Sequence, residues 1–326
     1  MASHEDATRA PESDAQENQA TPVGSSAEEV PVSTPAMGDC CTSDRPTPSG
    51  KASTGEIVKI NDVECYISKP PDYPHAPARL LLLLTGGTGL HSVNNQIQSD
   101  RFASEGFLVV MPDLFGGDPA PNAAGLENEL DLGSTSFLDI FKVRAAETAK
   151  SFMIDMWLAR HTQDKVMPLL YRVIDGCKET YSTVVTEGQG IYAAGYCFGG
   201  RYVLLLSKEN QPVYGDAAPT EGAGEVRKGP LIKAGVLAHP TSVSHGDFDG
   251  LKAPLSLVCV ENDPLFPDEI RAHGEETMEK TSLEHEVKVY PGVPHGFAVV
   301  GDYSQPEIKE AQEVAYDQML EWLHTH

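Results

Sequence analysis

The chain has 326 residues, long enough for one large domain or two smaller ones, and its 40% hydrophobic and 22% charged residues are ordinary for a globular protein. Its 48 acidic residues outnumber its 24 lysines and arginines, giving a formal net charge of −24. This excess disfavours nucleic acid and anionic membrane surfaces as partners, because both are bound through basic patches. With no secretory signal and no apolar run long enough to cross a bilayer, the sequence predicts a cytoplasmic protein whose six cysteines are reduced.

Residues 1–37 are rich in alanine, proline, serine, threonine and acidic residues, and they nearly lack large apolar side chains. Such a segment cannot bury enough surface to offset the entropy lost on ordering it. We therefore predict a disordered acidic tail over 1–37 and one folded domain over 38–326. Cys40 and Cys41 begin this domain, and no second cysteine or histidine pair follows at zinc-ligand spacing. We interpret both as incidental thiols.

Strand and helix patterns alternate along the folded domain. The predicted strands are Glu56–Ile60, Val63–Ser68, 79–85, 107–111, 189–197, 234–238, Leu255–Val260 and 286–290. The predicted helices are Val93–Ser104, two or three helices within 136–183, 267–281 and 306–324. Repeated β-then-α units predict the α/β class, with a mostly parallel sheet and helices on both faces. Ligands bind such sheets at the carboxyl ends of the strands.

The segment after the fifth predicted strand has the pattern of a nucleophile elbow. It reads Gly-Tyr-Cys-Phe-Gly-Gly from Gly195 to Gly200 and continues into an apolar helix pattern. Small residues two places before and after the central residue let the chain turn sharply and present the central side chain. Cys197 is that central residue, so we predict a thiol nucleophile here rather than a buried structural cysteine.

An acid and a histidine follow Cys197 in the order typical of α/β-hydrolases. Asp263 and His295 each come directly after a predicted strand, and they would orient the imidazole and take up the thiol proton. Asp268 is an alternative acid, although its place at the start of a predicted helix favours a structural role. His239 also follows a strand and either lines the pocket or is an ordinary loop residue.

The elbow resembles the dienelactone hydrolase family, particularly its fungal branch. The similarity extends to Asn-Asp-Pro-Leu-Phe-Pro from Asn262, Pro-His-Gly-Phe-Ala from Pro294, Asn94-Asn95-Gln96, and the run from Val110 to Pro119. It covers residues 38–326 and implies an α/β-hydrolase fold without metal or organic cofactor, acting on a cyclic enol lactone or related activated ester. It further implies a triad of Cys197, Asp263 and His295. The implied oxyanion hole consists of the backbone N–H groups of Gly87 and Phe198.

Two positions depart from the family pattern. The family usually has a carboxylate in the early loop that holds the resting thiol, and Gly86 stands at that place. It also tends to have an arginine shortly after the histidine to hold a substrate carboxylate, where this chain has Val299 and Val300. We therefore expect direct deprotonation of Cys197 by the histidine, and we consider Arg201 as a replacement cation for the substrate.

A thiol nucleophile also restricts the substrate. A thiolate is itself a good leaving group, so the tetrahedral intermediate moves forward only when the other leaving group is also good. Enol lactones, aryl esters, thioesters and anhydrides meet this condition, in aromatic catabolism or in secondary-metabolite biosynthesis. The sequence makes no prediction of oligomeric state.

Two other functions remain open at this point. The two missing family residues motivate a non-catalytic binding protein with a hydrolase fold. The glycine-rich turn from Thr85 to Gly89 motivates an NAD(P)-dependent short-chain reductase. Against the reductase, Ser92 occupies the last glycine position of the fingerprint, and no Tyr-x-x-x-Lys pair occurs in the chain.

Overall fold

An uninterrupted run of five leucines lies in the centre of the sheet. Leu80, Leu82 and Leu84 pack into one apolar layer, whereas Leu81 and Leu83 pack into the other. Successive side chains of a strand point to opposite faces, so a strand that is apolar at every position is buried on both sides. The leucine run therefore places helices on both faces of the sheet.

The structure is a computed structural model and describes residues 39–122, 137–214 and 227–326. These residues belong to one compact unit, Thr34–His326. The predicted acidic tail over 1–37 lies outside the described residues. No described helix is long and apolar enough to cross a membrane.

The main sheet has eight strands, and all eight were predicted to within one or two residues at their ends. In chain order the strands are β1 Glu56–Ile60, β2 Val63–Ser68, β3 Arg79–Leu84, β4 Phe107–Pro112, β5 Ile191–Tyr196, the two-residue β6 Asn210–Gln211 and β7 Arg227–Lys228, then β8 Gly235–Ala238, β9 Leu255–Val260 and β10 His285–Tyr290. The sheet order is β1-β2-β4-β3-β5-β8-β9-β10, and β6 pairs with β7 in a separate ribbon. From β4 to β10 every pairing in the main sheet is parallel, while β2 pairs antiparallel with β1 and β4. The arrangement confirms the predicted α/β-hydrolase fold.

Helices cover both faces of this sheet. The described helices are Asp39–Thr42, Val93–Ser104, Phe137–Arg160, Gln163–Thr180, Ser182–Glu187, Phe198–Leu206, Asp268–Lys280 and Pro306–Thr325, with a 3₁₀ helix at His245–Phe248. Phe102 and Met319 pack in the layer of Leu81, and Leu170 and Leu204 pack in the layer of Leu80. Helices from distant parts of the chain thus close the two cores. The short helix Asp39–Thr42 was not predicted, because four residues carry no helical period.

Candidate active site

Four chemically active side chains lie at one edge of the sheet. Strands β5, β8, β9 and β10 are parallel neighbours, and Cys197, His239, Asp263 and His295 each follow one of them. Since the carboxyl ends of parallel strands share an edge, the topology gathers residues that are far apart in the chain. All four side chains are buried.

The turn at Cys197 has the geometry of a nucleophile elbow. Its backbone is held at φ 50° and ψ −116°, which is sterically strained for a residue with a side chain. A Cβ added at Gly195 would lie 2.6 Å from the carbonyl oxygen of Gly199, and one added at Gly199 would collide with the carbonyl of Leu84. Glycine is therefore required at both positions. The turn places Cys197 at the start of the helix Phe198–Leu206, whose dipole favours a negative charge there.

Asp263 fixes the orientation of His295. Its Oδ2 lies 2.7 Å from the Nδ1 of His295, and its Oδ1 accepts a hydrogen bond from the N–H of Leu265 at 2.9 Å. An ionised carboxylate only accepts hydrogen bonds, so Nδ1 carries a proton and Nε2 is left for chemistry. Nε2 is buried and has no hydrogen-bond partner among the described residues. The geometry supplies a correctly oriented base.

The sulfur of Cys197 and a ring nitrogen of His295 lie within 4.8 Å of each other. A hydrogen bond with Cys41 lowers the pKa of Cys197 and outweighs its burial, and the nearby His295 lowers it further, to about 5. Burial alone would lower the pKa of His295, but the charge of Cys197 and the hydrogen bond to Asp263 raise it to about 10. The two groups therefore favour a thiolate–imidazolium pair at neutral pH.

Cys41 is a residue of this site that the sequence did not predict. Its sulfur lies 3.4 Å from the sulfur of Cys197, and both side chains are buried. Our interpretation of Cys41 as an incidental thiol was therefore wrong. The contact joins residues 156 positions apart, and a single cysteine in a short helix gives no local signal of such a partner.

The glycine-rich loop after β3 lies directly against Cys197. A Cβ added at Gly86 would lie 3.1 Å from the Cβ of Cys197, so the absence of a side chain at this position has a steric reason. The carbonyl of Thr85 accepts a hydrogen bond from the N–H of Gly199 at 3.0 Å, which joins the loop to the elbow. Gly87 lines the cavity beside Cys197, and the N–H of Phe198 is hydrogen-bonded to the Cys197 sulfur. Of the two predicted oxyanion-hole residues, Phe198 thus contacts the thiol and Gly87 lines the same cavity.

The asparagines of the Asn94-Asn95-Gln96 motif hold two segments around the cavity. Asn95 donates from Nδ2 to the hydroxyl of Thr88 and to the carbonyl of Gly89. Asn94 donates from Nδ2 to the carbonyl of Arg45 at 2.7 Å. The motif therefore fixes the glycine-rich loop after β3 and the segment that contains Arg45.

The cavity next to Cys197 has a volume of about 30 Å³. That is enough for a water molecule but far below the ~300 Å³ of a typical ligand pocket. Its described lining includes Cys41, Arg45, Gly86, Gly87, His239, Val299 and Val300. A substrate must therefore widen this site. The elbow directly follows the central strand β5, whereas the lining segment 41–45 neither belongs to the sheet nor follows one of its strands.

His239 lines the cavity, and its ring centroid lies 4.9 Å from that of His295. Burial lowers the pKa of His239 well below the usual histidine value, and the neighbouring His295 lowers it further. Neither ring nitrogen has a hydrogen-bond partner among the described residues. His239 is therefore a neutral, buried side chain in the wall of the cavity.

Two other candidates lie away from the thiol. Arg201 does not line the cavity; its guanidinium is bonded to the carboxylate of Asp247, with Nε 2.9 Å from Oδ2. The structure thus gives no support to Arg201 as the replacement cation. Asp268 is in the first turn of the helix Asp268–Lys280 and pairs with Arg271, as expected for a structural carboxylate.

Three atoms at this site have the chemistry of metal ligands. The sulfurs of Cys41 and Cys197 and a ring nitrogen of His295 all lie within 4.8 Å of one another. Two thiolates and an imidazole suit a soft or borderline ion such as Zn²⁺. Such an ion would occupy the thiol and the base, so it would compete with the hydrolase chemistry rather than support it.

The profile of the dienelactone hydrolase family matches residues 63–326, most of the chain. The chain belongs to the dienelactone hydrolase family. It is therefore a hydrolase of ester bonds acting on a small-molecule ester or lactone, and the resemblance inferred from its motifs is confirmed. The reductase hypothesis accordingly has no support.

Several fungal proteins are similar to this chain. The hydrolase pyvD of Aspergillus violaceofuscus is 28% identical over 272 residues, which cover 83% of this chain and 90% of that protein. The hydrolase tropI of Talaromyces stipitatus is 29% identical over 276 residues, covering 84% and 91%. A dienlactone hydrolase of Gibberella moniliformis is 24% identical and covers 83% of this chain and 87% of its own length.

Solved structures share the fold. A putative dienelactone hydrolase from Klebsiella pneumoniae superposes with a TM-score of 0.58 at 17% identity, covering 85% of this chain and 100% of its own. A propionate-bound esterase from Thermogutta terrifontis gives a TM-score of 0.53 at 16% identity, covering 84% and 96%. At this identity the likeness concerns the fold alone.

Proposed function

We propose that this chain is a cysteine-dependent hydrolase that opens a cyclic enol lactone, or cleaves a related activated lactone, ester or anhydride, through a thioester acyl-enzyme. Cys197 is the nucleophile, His295 the base and acid, and Asp263 the residue that orients the imidazole. The observation that carries this proposal is the row of three buried side chains in which Asp263 is hydrogen-bonded to His295 and His295 lies beside Cys197. It provides a nucleophile, a base and an orienting group in one place.

The reaction follows from this arrangement in two stages. The Cys197 thiolate attacks the carbonyl carbon, and the N–H groups of Phe198 and Gly87 stabilise the developing oxyanion. The intermediate collapses, the C–O bond of the leaving group breaks, and imidazolium of His295 protonates that group. Neutral His295 then removes a proton from water, and the water oxygen attacks the thioester carbonyl. The C–S bond breaks, the carboxylic acid leaves, and the Cys197 thiolate is regenerated.

The substrate class follows from the leaving group. Enolates and phenolates leave as readily as a thiolate, whereas alkoxides leave poorly and let the thiolate depart instead. Lactones and anhydrides of this kind arise in aromatic catabolism and in secondary-metabolite biosynthesis, and we place the reaction there. A cytoplasmic location is also part of this proposal.

A substrate panel tests this function. Purified protein and the Cys197→Ala variant are assayed on an enol lactone, an aryl ester, a thioester and an alkyl ester. We expect the protein to hydrolyse the first three far faster than the alkyl ester, and the variant to hydrolyse none above background. Equal rates on alkyl and enol esters, or an active variant, would contradict the proposal.

The ionisation of Cys197 gives a second prediction. Because the pKa of Cys197 is lowered to about 5, its thiolate is present above that pH, and the His295 imidazolium persists up to about pH 10. We expect the ultraviolet absorbance of the thiolate to titrate near pH 5, and kcat/KM to rise through that pH and fall near pH 10. Absorbance measured against the Cys197→Ala variant isolates this one thiol.

Two variants check the cause of this shift. Cys41→Ala and His295→Gln each remove a group that favours the thiolate, so both are expected to move the midpoint upward. A midpoint near the ordinary cysteine value of about 8.5 in the unmodified protein would refute the ion pair.

Arg45 gives a third prediction, concerning substrate charge. It lines the cavity together with Val299 and Val300, and its guanidinium lies 4.6 Å above the ring of Tyr303. It thus supplies a cation beside the two valines that stand where the family tends to have an arginine. We expect Arg45→Gln to raise KM for a carboxylate-bearing lactone about tenfold, the size of one charge-assisted hydrogen bond, with little change for an uncharged analogue.

Arg201→Gln is the matched control for Arg45. Because it removes the partner of the buried Asp247 carboxylate, we expect a lower Tm but an unchanged ratio of the two KM values. If Arg201→Gln alters that ratio and Arg45→Gln does not, Arg201 is the cation that recognises the substrate.

A further inference from the structure

We infer that Cys41 and Cys197 form an oxidation site, at which a peroxide converts the two thiols into a disulfide that reversibly blocks the enzyme. The inference rests on the proposed function in one respect, since it takes Cys197 as the reactive thiolate. It adds a chemical modification that hydrolysis does not require.

The distance between the two sulfurs carries this inference. They lie 3.4 Å apart in a buried environment, and a disulfide needs them at about 2 Å. A movement of little more than an ångström is required. Cys41 belongs to a four-residue helix outside the sheet, whereas Cys197 is held rigidly by the elbow, so Cys41 is the residue able to make that movement.

The size of the cavity favours a small oxidant, and the ionisation of the cysteines favours reaction at Cys197. A cavity of about 30 Å³ admits a molecule slightly larger than water, such as hydrogen peroxide, more easily than a bulky disulfide reagent. Oxidation requires the thiolate, and the site favours the thiolate at Cys197. By contrast, burial raises the pKa of Cys65, Cys177 and Cys259, which keeps those thiols protonated.

The chemistry balances in two steps. The Cys197 thiolate attacks one peroxide oxygen, the O–O bond breaks, and hydroxide leaves and takes a proton from the His295 imidazolium to become water, so that Cys197 becomes a sulfenic acid. The Cys41 sulfur then loses its proton and attacks the sulfenic sulfur; the S–S bond forms, the S–O bond breaks, and the oxygen leaves as water. In total two thiols lose two electrons to one peroxide, with two waters as the product, and a dithiol reverses the change.

The disulfide would act on the enzyme in two ways. It removes the nucleophilic sulfur, and it ties the segment 41–45 across the cavity that a substrate must widen. It also protects Cys197, because a sulfenic acid with no neighbouring thiol is oxidised further to sulfinic and sulfonic acids that a dithiol does not reduce. Cys41 is therefore the resolving thiol of this pair.

Peptide mapping tests the inference directly. The reduced protein is treated with hydrogen peroxide in the presence of a chelator, remaining thiols are alkylated, and a non-reducing digest is analysed by mass spectrometry. We expect one cross-linked peptide pair, joining Cys41 to Cys197, to appear as activity is lost. Dithiothreitol should remove the cross-link and restore most of the activity.

Variants separate the resolving thiol from its neighbour. In Cys41→Ser we expect sulfinic or sulfonic acid at Cys197, and recovery by dithiothreitol of less than about half of what the unmodified protein regains. Cys40→Ser, which changes the adjacent cysteine, is expected to recover like the unmodified protein. A cross-link to Cys40, inactivation without any cross-link, or full recovery in Cys41→Ser would overturn the inference.

Peptide mapping of the disulfide does not depend on the hydrolase assay. If the cross-link forms but Cys197→Ala still hydrolyses esters, the proposed function is wrong and the oxidation site stands. If Cys197→Ala is inactive but no cross-link forms, only the oxidation site is wrong.

Discussion

Replacing Cys197 with alanine is expected to lower kcat/KM for an enol lactone by at least about 10⁴-fold. The alanine has no atom to form the acyl intermediate, and only the oxyanion N–H groups and binding interactions remain. The measurement is steady-state hydrolysis of an enol lactone or aryl ester under saturating and subsaturating conditions. Thermal unfolding checks that the variant is folded.

Cys259→Ala is the matched control for this loss. Cys259 is similarly buried, but it is part of β9 and does not line the cavity beside Cys197. We expect its substitution to lower Tm without a comparable loss of kcat/KM. If both variants lose activity in parallel with stability, the effect of Cys197 is structural and the nucleophile assignment fails.

Replacing Asp263 with asparagine is expected to lower kcat by about 10³–10⁴-fold. The amide of asparagine can donate a hydrogen bond to Nδ1, which would favour the tautomer with its proton on Nε2, facing the thiol. It also removes the negative charge that supports the imidazolium. The loss is measured as kcat on the same aryl ester, with KM determined in parallel.

Asp268→Asn is the control for the acid. Asp268 is only five positions away, but it pairs with Arg271 on a half-exposed helix turn. We expect a change of less than about threefold, because a partly exposed ion pair contributes little free energy. A larger loss in Asp268→Asn than in Asp263→Asn would show that Asp263 is not the acid of the triad.

The fold could be predicted because its strands are signalled locally. The leucine run of β3 and the apolar run of β9 are buried on both faces, so they appear in the sequence as continuous hydrophobic stretches. The elbow could also be predicted from its glycines, because their positions follow from the steric requirements of one turn. The short helix Asp39–Thr42 lacks any such pattern, and its position depends on contacts with distant residues.

The candidate triad could be proposed for a related reason. Each of Cys197, Asp263 and His295 directly follows a strand, and a parallel sheet brings strand ends together. Cys41 and Arg45 follow no strand, and they reach the cavity through hydrogen bonds from Ser92, Asn94 and the N–H of Asp302 to their segment. Partners of this kind are set by tertiary packing, which no spacing rule in the chain encodes.

The placement of Cys41 also bears on the family departure at Gly86. The family places a carboxylate against the resting thiol, whereas here the thiol of Cys41 lies against Cys197 and no side chain extends from position 86. A carboxylate would repel a thiolate, but a thiol can donate a hydrogen bond to it. We therefore expect the thiol of this protein to be ionised before the substrate arrives.

The central claim, that hydrolysis passes through an acyl group on the Cys197 sulfur, is tested most directly by trapping that intermediate. The protein is mixed with an aryl ester, quenched in acid within the first turnovers, and analysed by intact mass and peptide mapping. The account predicts an acyl adduct on the peptide that contains Cys197, sensitive to hydroxylamine as thioesters are, and absent from Cys197→Ala. Turnover without any adduct, or an adduct on a serine or on Cys41 instead, would contradict it.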